Sequence, residues 1–250
     1  MPDRPPAQTD FRTFARLCGE ESQRMTRHGA DYLRPHVGRF YETFAECLRV
    51  VPPGASVLSV GAGGAYVEKQ LVRTCGAQVT VVDFPEAIRE HEQDYRPYGF
   101  RAIGINLGEQ PLDVAQPFDV VLSFEIVEHL PIPPHEHLAM LSRLLKPGGR
   151  LVLTTPNLAH LPNVVRLLRG RPILPDARLT FAKTCYDNEH VHRREYVAAE
   201  IVAAMRQVGL THERTAYLSC RKRGTLNGCV RRLYDLAPRW KKIMLLVARR

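Results

Sequence analysis

The ten residues from 57 to 66, VLSVGAGGAY, constrain the fold of this chain more than any other stretch. A short apolar run rich in Val and Leu is typical of a buried parallel strand. Three glycines and then a helical pattern over residues 66–73 follow directly. We therefore predict a strand, a tight turn and a helix N-terminus, because glycine lets the backbone turn and lets a ligand approach it closely. Dinucleotide-binding proteins use the same device, so the turn alone does not identify a function.

Strand and helix patterns alternate along the rest of the chain. Further strands are predicted at 78–83, 100–105, 118–123, 150–155, 210–218 and 243–247, and helices at 11–25, 40–50, 85–94, 134–145 and 195–208. Residues 146–149, KPGG, are interpreted as a helix stop. Alternation at this spacing implies a parallel sheet with right-handed crossovers, which places the chain in the α/β class.

Four regions of the chain differ in composition. Residues 1–9 are rich in proline and are predicted to be disordered. Residues 10–250 are predicted to form a single domain. Within it, residues 157–190 form a long, proline-interrupted insertion after a strand, which we interpret as a cap over the substrate. Residues 214–250 form a basic C-terminal segment.

The net charge of +9 is concentrated in that basic segment. Eleven Lys or Arg and one acid lie between 214 and 250, a net charge of +10, so the remaining residues sum to −1. Such a segment attracts anionic substrates, a lipid surface or nucleic acid. A solvated basic face is an equally good interpretation.

Composition excludes several classes of protein. No run of about 18 apolar residues occurs, so no membrane-spanning segment is predicted. The first residues lack an apolar signal segment, which favours a cytoplasmic protein. The six cysteines are scattered without a Cys-x-x-Cys pair, which favours free thiols over a disulfide framework or a zinc site.

Polar residues follow each of the predicted central strands. Asp83 ends the second strand, and Asn106 follows the third. The fourth strand leads into residues 125–129 and the fifth into residues 155–157. Because ligands of open parallel sheets bind at the carboxyl ends of the strands, we expect these residues near a ligand.

The segments VLSVGAGG, VTVVD, FDVVLSFEIVEHL and LLKPGGRLVLTTPN resemble class I S-adenosylmethionine-dependent methyltransferases, over residues of roughly 40–250. This resemblance implies a Rossmann-like sheet of seven mostly parallel strands with an antiparallel last strand, and helices on both faces. It also implies S-adenosyl-L-methionine as cofactor, with Asp83 on the ribose. The implied cofactor contacts are Gly61, Ala62, Gly63, Asp83, Phe84, Asn106, Leu107 and Phe124. One departure is Ser59, where the family often has an acid.

The string Glu125-x-x-Glu128-His129 follows the fourth strand. Carboxylates three residues apart are predicted to share one face of a helical turn. The string resembles one in ubiquinone-pathway O-methyltransferases and in small-RNA 3′-terminal 2′-O-methyltransferases, two metal-using groups. In the latter a downstream His completes the metal site, a place that His190 takes here, with His192 as a substitute.

Two interpretations of this string stay open. The resemblance implies a Mg²⁺ or Mn²⁺ site of Glu125, Glu128, His129 and His190, in which the ion lowers the pKa of the acceptor hydroxyl. In the other interpretation Glu128 and His129 act catalytically without a metal, by holding the substrate or the active-site loop.

The leading functional hypothesis is a methyltransferase that O-methylates a hydroxyl of a small metabolite. An RNA 2′-O-methyltransferase and an N- or carboxyl-methyltransferase without a metal are the alternatives within this family. A nicotinamide-dependent oxidoreductase is disfavoured because residues 61–66 lack a third glycine at the expected spacing. A non-catalytic binding protein is disfavoured by the intact glycines and Asp83.

Overall fold

The computed structural model describes residues 10–22, 27–107, 110, 112, 114, 116–174, 192–219, 232, 234 and 236–250. These residues belong to two compact units. The first comprises Met1–Leu122 with Ser219–Leu226, and the second comprises Ser123–Leu218 with Asn227–Arg250. The N-terminal residues 1–9, predicted to be disordered, lie outside the described residues. The single domain over 10–250 stays a prediction.

Helices and strands alternate as the sequence predicts, with one further helix inside the predicted insertion over residues 157–190. The helices are α1 (Phe11–Ser22), α2 (Arg27–Cys47), α3 (Tyr66–Cys75), α4 (Pro85–Tyr95), α5 (Pro134–Arg143), α6 (Leu161–Leu168) and α7 (Ala198–Gln207). The strands are β1 (Ser56–Val60), β2 (Gln78–Asp83), β3 (Arg101–Gly104), β4 (Phe118–Phe124), β5 (Leu145–Pro156), β6 (Thr211–Leu218) and β7 (Ile243–Arg249).

The seven strands form one sheet in the order β3-β2-β1-β4-β5-β7-β6. Strand β2 pairs in parallel with both β1 and β3. Strand β7 is antiparallel to both β5 and β6. The Rossmann-like sheet with an antiparallel last strand is therefore confirmed.

Two predicted boundaries are wrong, each for a physical reason. Residues 146–149 lie in β5 rather than in a helix stop, because the backbones of Gly148 and Gly149 hydrogen-bond to Arg250 and so extend the pairing with β7. Helix α2 begins at Arg27 rather than at residue 40 and continues through Pro35. The longer helix includes Leu33, whose side chain is buried, whereas a helix beginning at residue 40 would not include it.

The core of the first unit lies on β1 and β2. The side chains of Val57, Leu58, Val81 and Val82 are fully buried, as expected for central strands of a parallel sheet. Helices α1 and α2 pack through aromatic side chains, with the rings of Phe14 and Phe44 5.4 Å apart.

The core of the second unit lies on β5 and β7. Every residue of β7 up to Ala248 is buried, and α5 and α7 contribute buried Leu, Ile and Met side chains. In the part of the chain that the structure describes, no helix has the length and apolarity needed to cross a lipid bilayer.

Candidate functional site

The glycine turn of the first unit joins β1 to α3. Gly61 and Gly63 adopt φ angles of 66° and 47°, a left-handed conformation that favours glycine. Gly61 donates its N–H to the carbonyl of Val82 at 2.7 Å, which ties the turn to the end of β2. Ala65 also has a positive φ, of 48°, a strained conformation of the kind that occurs at ligand sites.

Asp83, the last residue of β2, holds this turn in place. Its Oδ2 accepts the N–H of Gly63 at 2.8 Å, and its Oδ1 accepts the N–H of Phe84 at 2.8 Å. The hydroxyl of Tyr95 donates to the carbonyl of Gly63 from the other side. A carboxylate accepts about four hydrogen bonds, so these two amide contacts are compatible with contacts to two ribose hydroxyls.

A neighbouring aromatic ring leaves no room for a side chain at position 64. The φ angle of Gly64 does not by itself require a glycine. A Cβ atom added there would lie 2.7 Å from Cζ of Tyr66, so the ring would have to move. That ring is 5% exposed and packs on Phe40 with centroids 4.8 Å apart. The turn is therefore held by packing as well as by hydrogen bonds.

Glu68 supplies a buried acid beside the position where the family often has one. Its Oε1 accepts a hydrogen bond from Oγ of Ser59 at 2.6 Å, and the Glu68 and Ser59 residues are 2% and 1% exposed. Burial raises the pKa of the Glu68 carboxyl. Ser59 stands where the resemblance implies an acid, and the carboxyl group of Glu68 on α3 contacts its side chain.

The other predicted cofactor residues lie at the carboxyl ends of strands. Asn106 is 8% exposed and follows β3, and its backbone carbonyl accepts the N–H of Gln110 at 2.9 Å. Ala62, Leu107 and Phe124 are half-buried. Their contacts with a cofactor stay predictions.

The segment from Glu125 to His129 is a turn and not a helix. Glu125 has a φ of 56°, its N–H donates to the carbonyl of Thr154 at 3.0 Å, and His129 donates its N–H to Ile126 at 3.0 Å. The prediction that Glu125 and Glu128 share the face of a helical turn is therefore wrong. A residue with a left-handed backbone cannot itself lie in a right-handed helix, so Glu125 is not on a helical face with Glu128.

Three potential metal ligands converge in the second unit. One ligand atom from each of Glu128, His129 and His192 lies within 4.8 Å of the others. Nε2 of His129 is 3.7 Å from Oε1 of Glu128. The Glu128 side chain is fully buried, and its Oε2 accepts a hydrogen bond from Oγ1 of Thr155 at 2.9 Å.

Two of the four predicted metal ligands are not placed in this group. Among the described residues the group consists of Glu128, His129 and His192, and Glu125 is not a member. His190 lies outside the described residues. The substitute that the sequence offered, His192, takes the position of the downstream histidine.

Hydrogen bonds from Arg193 and Arg194 connect the segment after His192 to the backbone of Glu128 and His129. The N–H groups of Arg193 and Arg194 donate to the carbonyl of Glu128 at 2.8 and 3.3 Å, and Nε of Arg193 donates to the carbonyl of His129 at 3.1 Å. Sequence reasoning missed these contacts because they depend on main-chain geometry. The adjacency of Arg193 to His192 was the only available signal.

Asn157, which follows β5, has a structural role. It is 2% exposed, and its Nδ2 donates to the carbonyls of Arg239 at 2.6 Å and Lys241 at 2.9 Å. Its Oδ1 accepts the N–H of Ala159 at 3.1 Å. Thr155, which precedes it on the chain, is the residue of this strand end that reaches the cluster.

The donor atoms of the cluster suit a divalent transition ion. One carboxylate and two imidazoles form a mixed oxygen and nitrogen set, whereas Mg²⁺ prefers oxygen ligands throughout. Two atoms on opposite sides of one ion lie at most about 4.4 Å apart. The observed separations therefore match a single ion after shifts of a few tenths of an ångström.

Comparisons with known proteins match the chain to a family model and to several named relatives. A family model described as a methyltransferase domain matches residues 31–214. The chain is 34% identical over 175 residues to the ubiquinone biosynthesis O-methyltransferase of Xanthomonas axonopodis pv. citri (strain 306), with 66% of each chain covered. It is 41% identical over 119 residues to the protein of that name from Xylella fastidiosa (strain M23), over 44% of this chain and 45% of the relative. In that alignment the chain spans about half the length of the curated relative.

Solved structures show the same fold. An S-adenosylmethionine-dependent methyltransferase from Mesorhizobium loti superposes with a TM-score of 0.60 and 16% identity, covering 84% of this chain and 97% of that chain. The glycine turn, Asp83 and the strand order agree with this assignment. The chain belongs to the methyltransferase domain family.

Proposed function

We propose that the chain transfers a methyl group to a hydroxyl oxygen of a small molecule, with a divalent ion held by Glu128, His129 and His192. The observation that carries this proposal is the convergence of three ligand atoms within 4.8 Å. The relatives named O-methyltransferase support an oxygen acceptor. Because the donor set is mixed, Mn²⁺ is favoured over Mg²⁺.

The first unit binds the methyl donor. S-adenosylmethionine supplies a methyl group already activated on a sulfonium, so the protein contributes mainly positioning and the removal of one proton. Gly61 and Gly63 bring bare backbone to the ligand, and the carboxylate of Asp83 receives the ribose hydroxyls. Tyr95 and Phe84 hold the turn and the carboxylate through the hydrogen bonds described above.

The second unit binds the acceptor. A divalent ion bound there lowers the pKa of an acceptor hydroxyl. Glu128 keeps its carboxylate in one orientation through the hydrogen bond from Thr155. The side chains of His129 and His192 are 24% and 34% exposed, so an acceptor reaches both rings from solvent.

The acceptor is expected to carry two adjacent hydroxyl groups. Mn²⁺ and Mg²⁺ commonly take six ligands, and three protein groups leave room for two oxygens of one molecule. Catechol is the simplest aromatic molecule of this kind. Phenol, which lacks the second hydroxyl, is its matched control.

The test is a methyl-transfer assay with S-adenosylmethionine labelled in the methyl group and Mn²⁺ present. We expect catechol to be methylated at least tenfold faster than phenol or aniline, with the product identified by mass spectrometry as a methyl ether. Equal rates on phenol and catechol would contradict the two-oxygen acceptor. Methylation of an RNA 3′ end but not of catechol would instead support the RNA alternative.

A pair of isosteric variants separates the acceptor side from the donor side. Glu128→Gln replaces the buried carboxyl group by an amide and is expected to abolish transfer, while the affinity for S-adenosylhomocysteine stays within about threefold of wild type. Glu213→Gln makes the same substitution at an ion pair with Arg150, away from the cluster, and is expected to leave both quantities unchanged. Full transfer activity in Glu128→Gln would contradict the proposal.

A further inference from the structure

A chain of hydrogen bonds leads from His192 of the metal cluster to helix α6. Nδ1 of His192 lies 3.1 Å from Oε1 of Glu195. Nδ2 of Asn163, on α6, donates to Oε2 of the same carboxylate at 2.9 Å. The Glu195 side chain is 13% exposed, so most of it is shielded from water.

This arrangement selects one form of the neutral imidazole. An ionised carboxylate only accepts hydrogen bonds, so the nitrogen that faces it must carry the proton. Nδ1 of His192 is that nitrogen, and the lone pair is therefore left on Nε2. A nitrogen needs its lone pair to bind a metal ion or to accept a proton.

We propose that Glu195 is a positioning residue that fixes the Nδ1–H tautomer of His192 and so prepares Nε2 as the ligand atom. The inference rests on the function proposed above, since it assigns the histidine its place in the metal site. Partners of this kind, behind a metal-binding histidine, commonly raise metal affinity by 10- to 100-fold. Asn163 contributes to this positioning because its N–H donates a hydrogen bond to the second oxygen of the Glu195 carboxylate.

The N–H group of Asn163 allows the substitution Glu195→Gln to test the tautomer of His192. In Glu195→Gln the side-chain oxygen is expected to turn toward Asn163, because two N–H groups cannot face each other. The new amide N–H₂ then faces His192 and needs an acceptor there. The proton of the imidazole moves to Nε2, and the lone pair needed for the metal is lost.

A second substitution should reverse the first. In the double variant Glu195→Gln/Asn163→Asp, the carboxylate of residue 163 accepts the amide N–H₂ of residue 195. The side-chain oxygen of residue 195 then faces His192 again, as the Glu195 carboxylate does in the wild-type protein. The Nδ1–H tautomer is therefore expected to return.

The experiment is a long-range ¹H–¹⁵N correlation spectrum of the full chain labelled with ¹⁵N-histidine. It is recorded without metal at about pH 8.5, which is about two pH units above the reference value for histidine. The His192 signals are assigned by their loss in His192→Gln. We expect Nδ1–H in the wild type, Nε2–H in Glu195→Gln, Nδ1–H in the double variant, and the wild-type pattern in Glu213→Gln. An Nε2–H wild type, or a tautomer that Glu195→Gln leaves unchanged, would overturn the inference.

Calorimetric titration with MnCl₂ gives a second readout that needs no activity. Glu195→Gln is expected to bind Mn²⁺ at least tenfold more weakly than the wild type, and the double variant is expected to regain most of that affinity. Equal affinities in wild type and Glu195→Gln would overturn the role of Glu195 in the metal site. If no variant binds Mn²⁺ but the tautomers change as described, the metal part of the proposed function fails and the positioning of His192 is confirmed.

Discussion

The imidazole ring of His192 meets that of His129 edge to face, with centroids 5.0 Å apart and planes at 77°. The neighbouring side chain of Glu128 is fully buried. A buried carboxyl group beside two accessible rings is costly unless it is hydrogen-bonded or paired, and Thr155 supplies one of the hydrogen bonds here. The pair of rings therefore forms the accessible surface of a cluster whose carboxyl group is shielded from water.

Asp83 is expected to contribute to cofactor affinity. Asp83→Ala should weaken S-adenosylhomocysteine binding by about 10- to 100-fold, because charge-assisted hydrogen bonds contribute about 1.5–3 kcal/mol. Isothermal calorimetry on the folded variant measures this. Glu86→Ala, which removes a carboxylate from an exposed ion pair with Arg89, is the control and should bind normally. An unchanged affinity in Asp83→Ala would remove the residue from the binding site.

Gly64 is expected to tolerate no side chain. Gly64→Ala should lower the free energy of unfolding by about 1–3 kcal/mol, since the added Cβ must displace the ring of Tyr66. Urea denaturation checks this. Gly19→Ala in α1, where an added Cβ meets no atom within 4 Å, should instead raise stability by about 0.5–1 kcal/mol. Gly64→Ala with wild-type stability would show that the ring is not packed as described.

The sequence predicts the strand, glycine turn and helix of the first unit because these elements are consecutive in the chain. The strand, the glycine turn and the helix over 57–73 are consecutive, and each glycine follows from a requirement of its own backbone. The role of Gly64 is the exception, because it depends on the ring of Tyr66, two residues later.

The cluster of Glu128, His129 and His192 is only partly predictable because tertiary contacts determine it. Glu128 and His129 follow from the string after β4, but spacing alone indicates a helical turn where the positive φ of Glu125 prevents one. Glu195 lies three residues from His192 and 32 from Asn163, so nothing in a local pattern links all three.

His137 is expected to make stability depend on pH. It is 1% exposed and hydrogen-bonds through Nε2 with Oγ of Ser123 at 3.1 Å, and burial lowers its pKa to about 4. The unfolded chain, with a histidine pKa of about 6.5, binds more protons below that pH. The contribution is therefore complete above about pH 6.5 and falls as the pH drops toward 4, by about 3 kcal/mol at most.

Denaturation by urea at several pH values between 4.5 and 7.5 measures this dependence. His137→Gln, which cannot titrate, should flatten the slope below pH 6.5 by up to about 1.4 kcal/mol per pH unit. His212→Gln removes a histidine that is not buried and should keep the wild-type slope. Identical slopes in His137→Gln and wild type would show that His137 does not titrate in this window.

Asn157 is expected to act on stability and not on chemistry. Asn157→Ala should lower the free energy of unfolding by about 2–4 kcal/mol, because it removes three side-chain hydrogen bonds and leaves part-buried backbone groups without them. Gln207→Ala, at an exposed position of α7, should change stability by less than about 0.5 kcal/mol. Asn157→Ala that is as stable as wild type but inactive would give the residue a catalytic role instead.

Metal dependence of methyl transfer tests the central claim most directly. The enzyme is stripped by exhaustive dialysis against EDTA, and the rate on catechol is then measured as Mn²⁺, Mg²⁺ or Zn²⁺ is added back, in wild type and His129→Ala. We predict no rate without metal, recovery with Mn²⁺ at lower concentration than with Mg²⁺, and no recovery in His129→Ala. Full activity in the stripped wild type, with His129→Ala still inactive, would contradict the metal site and make His129 a base or a substrate anchor.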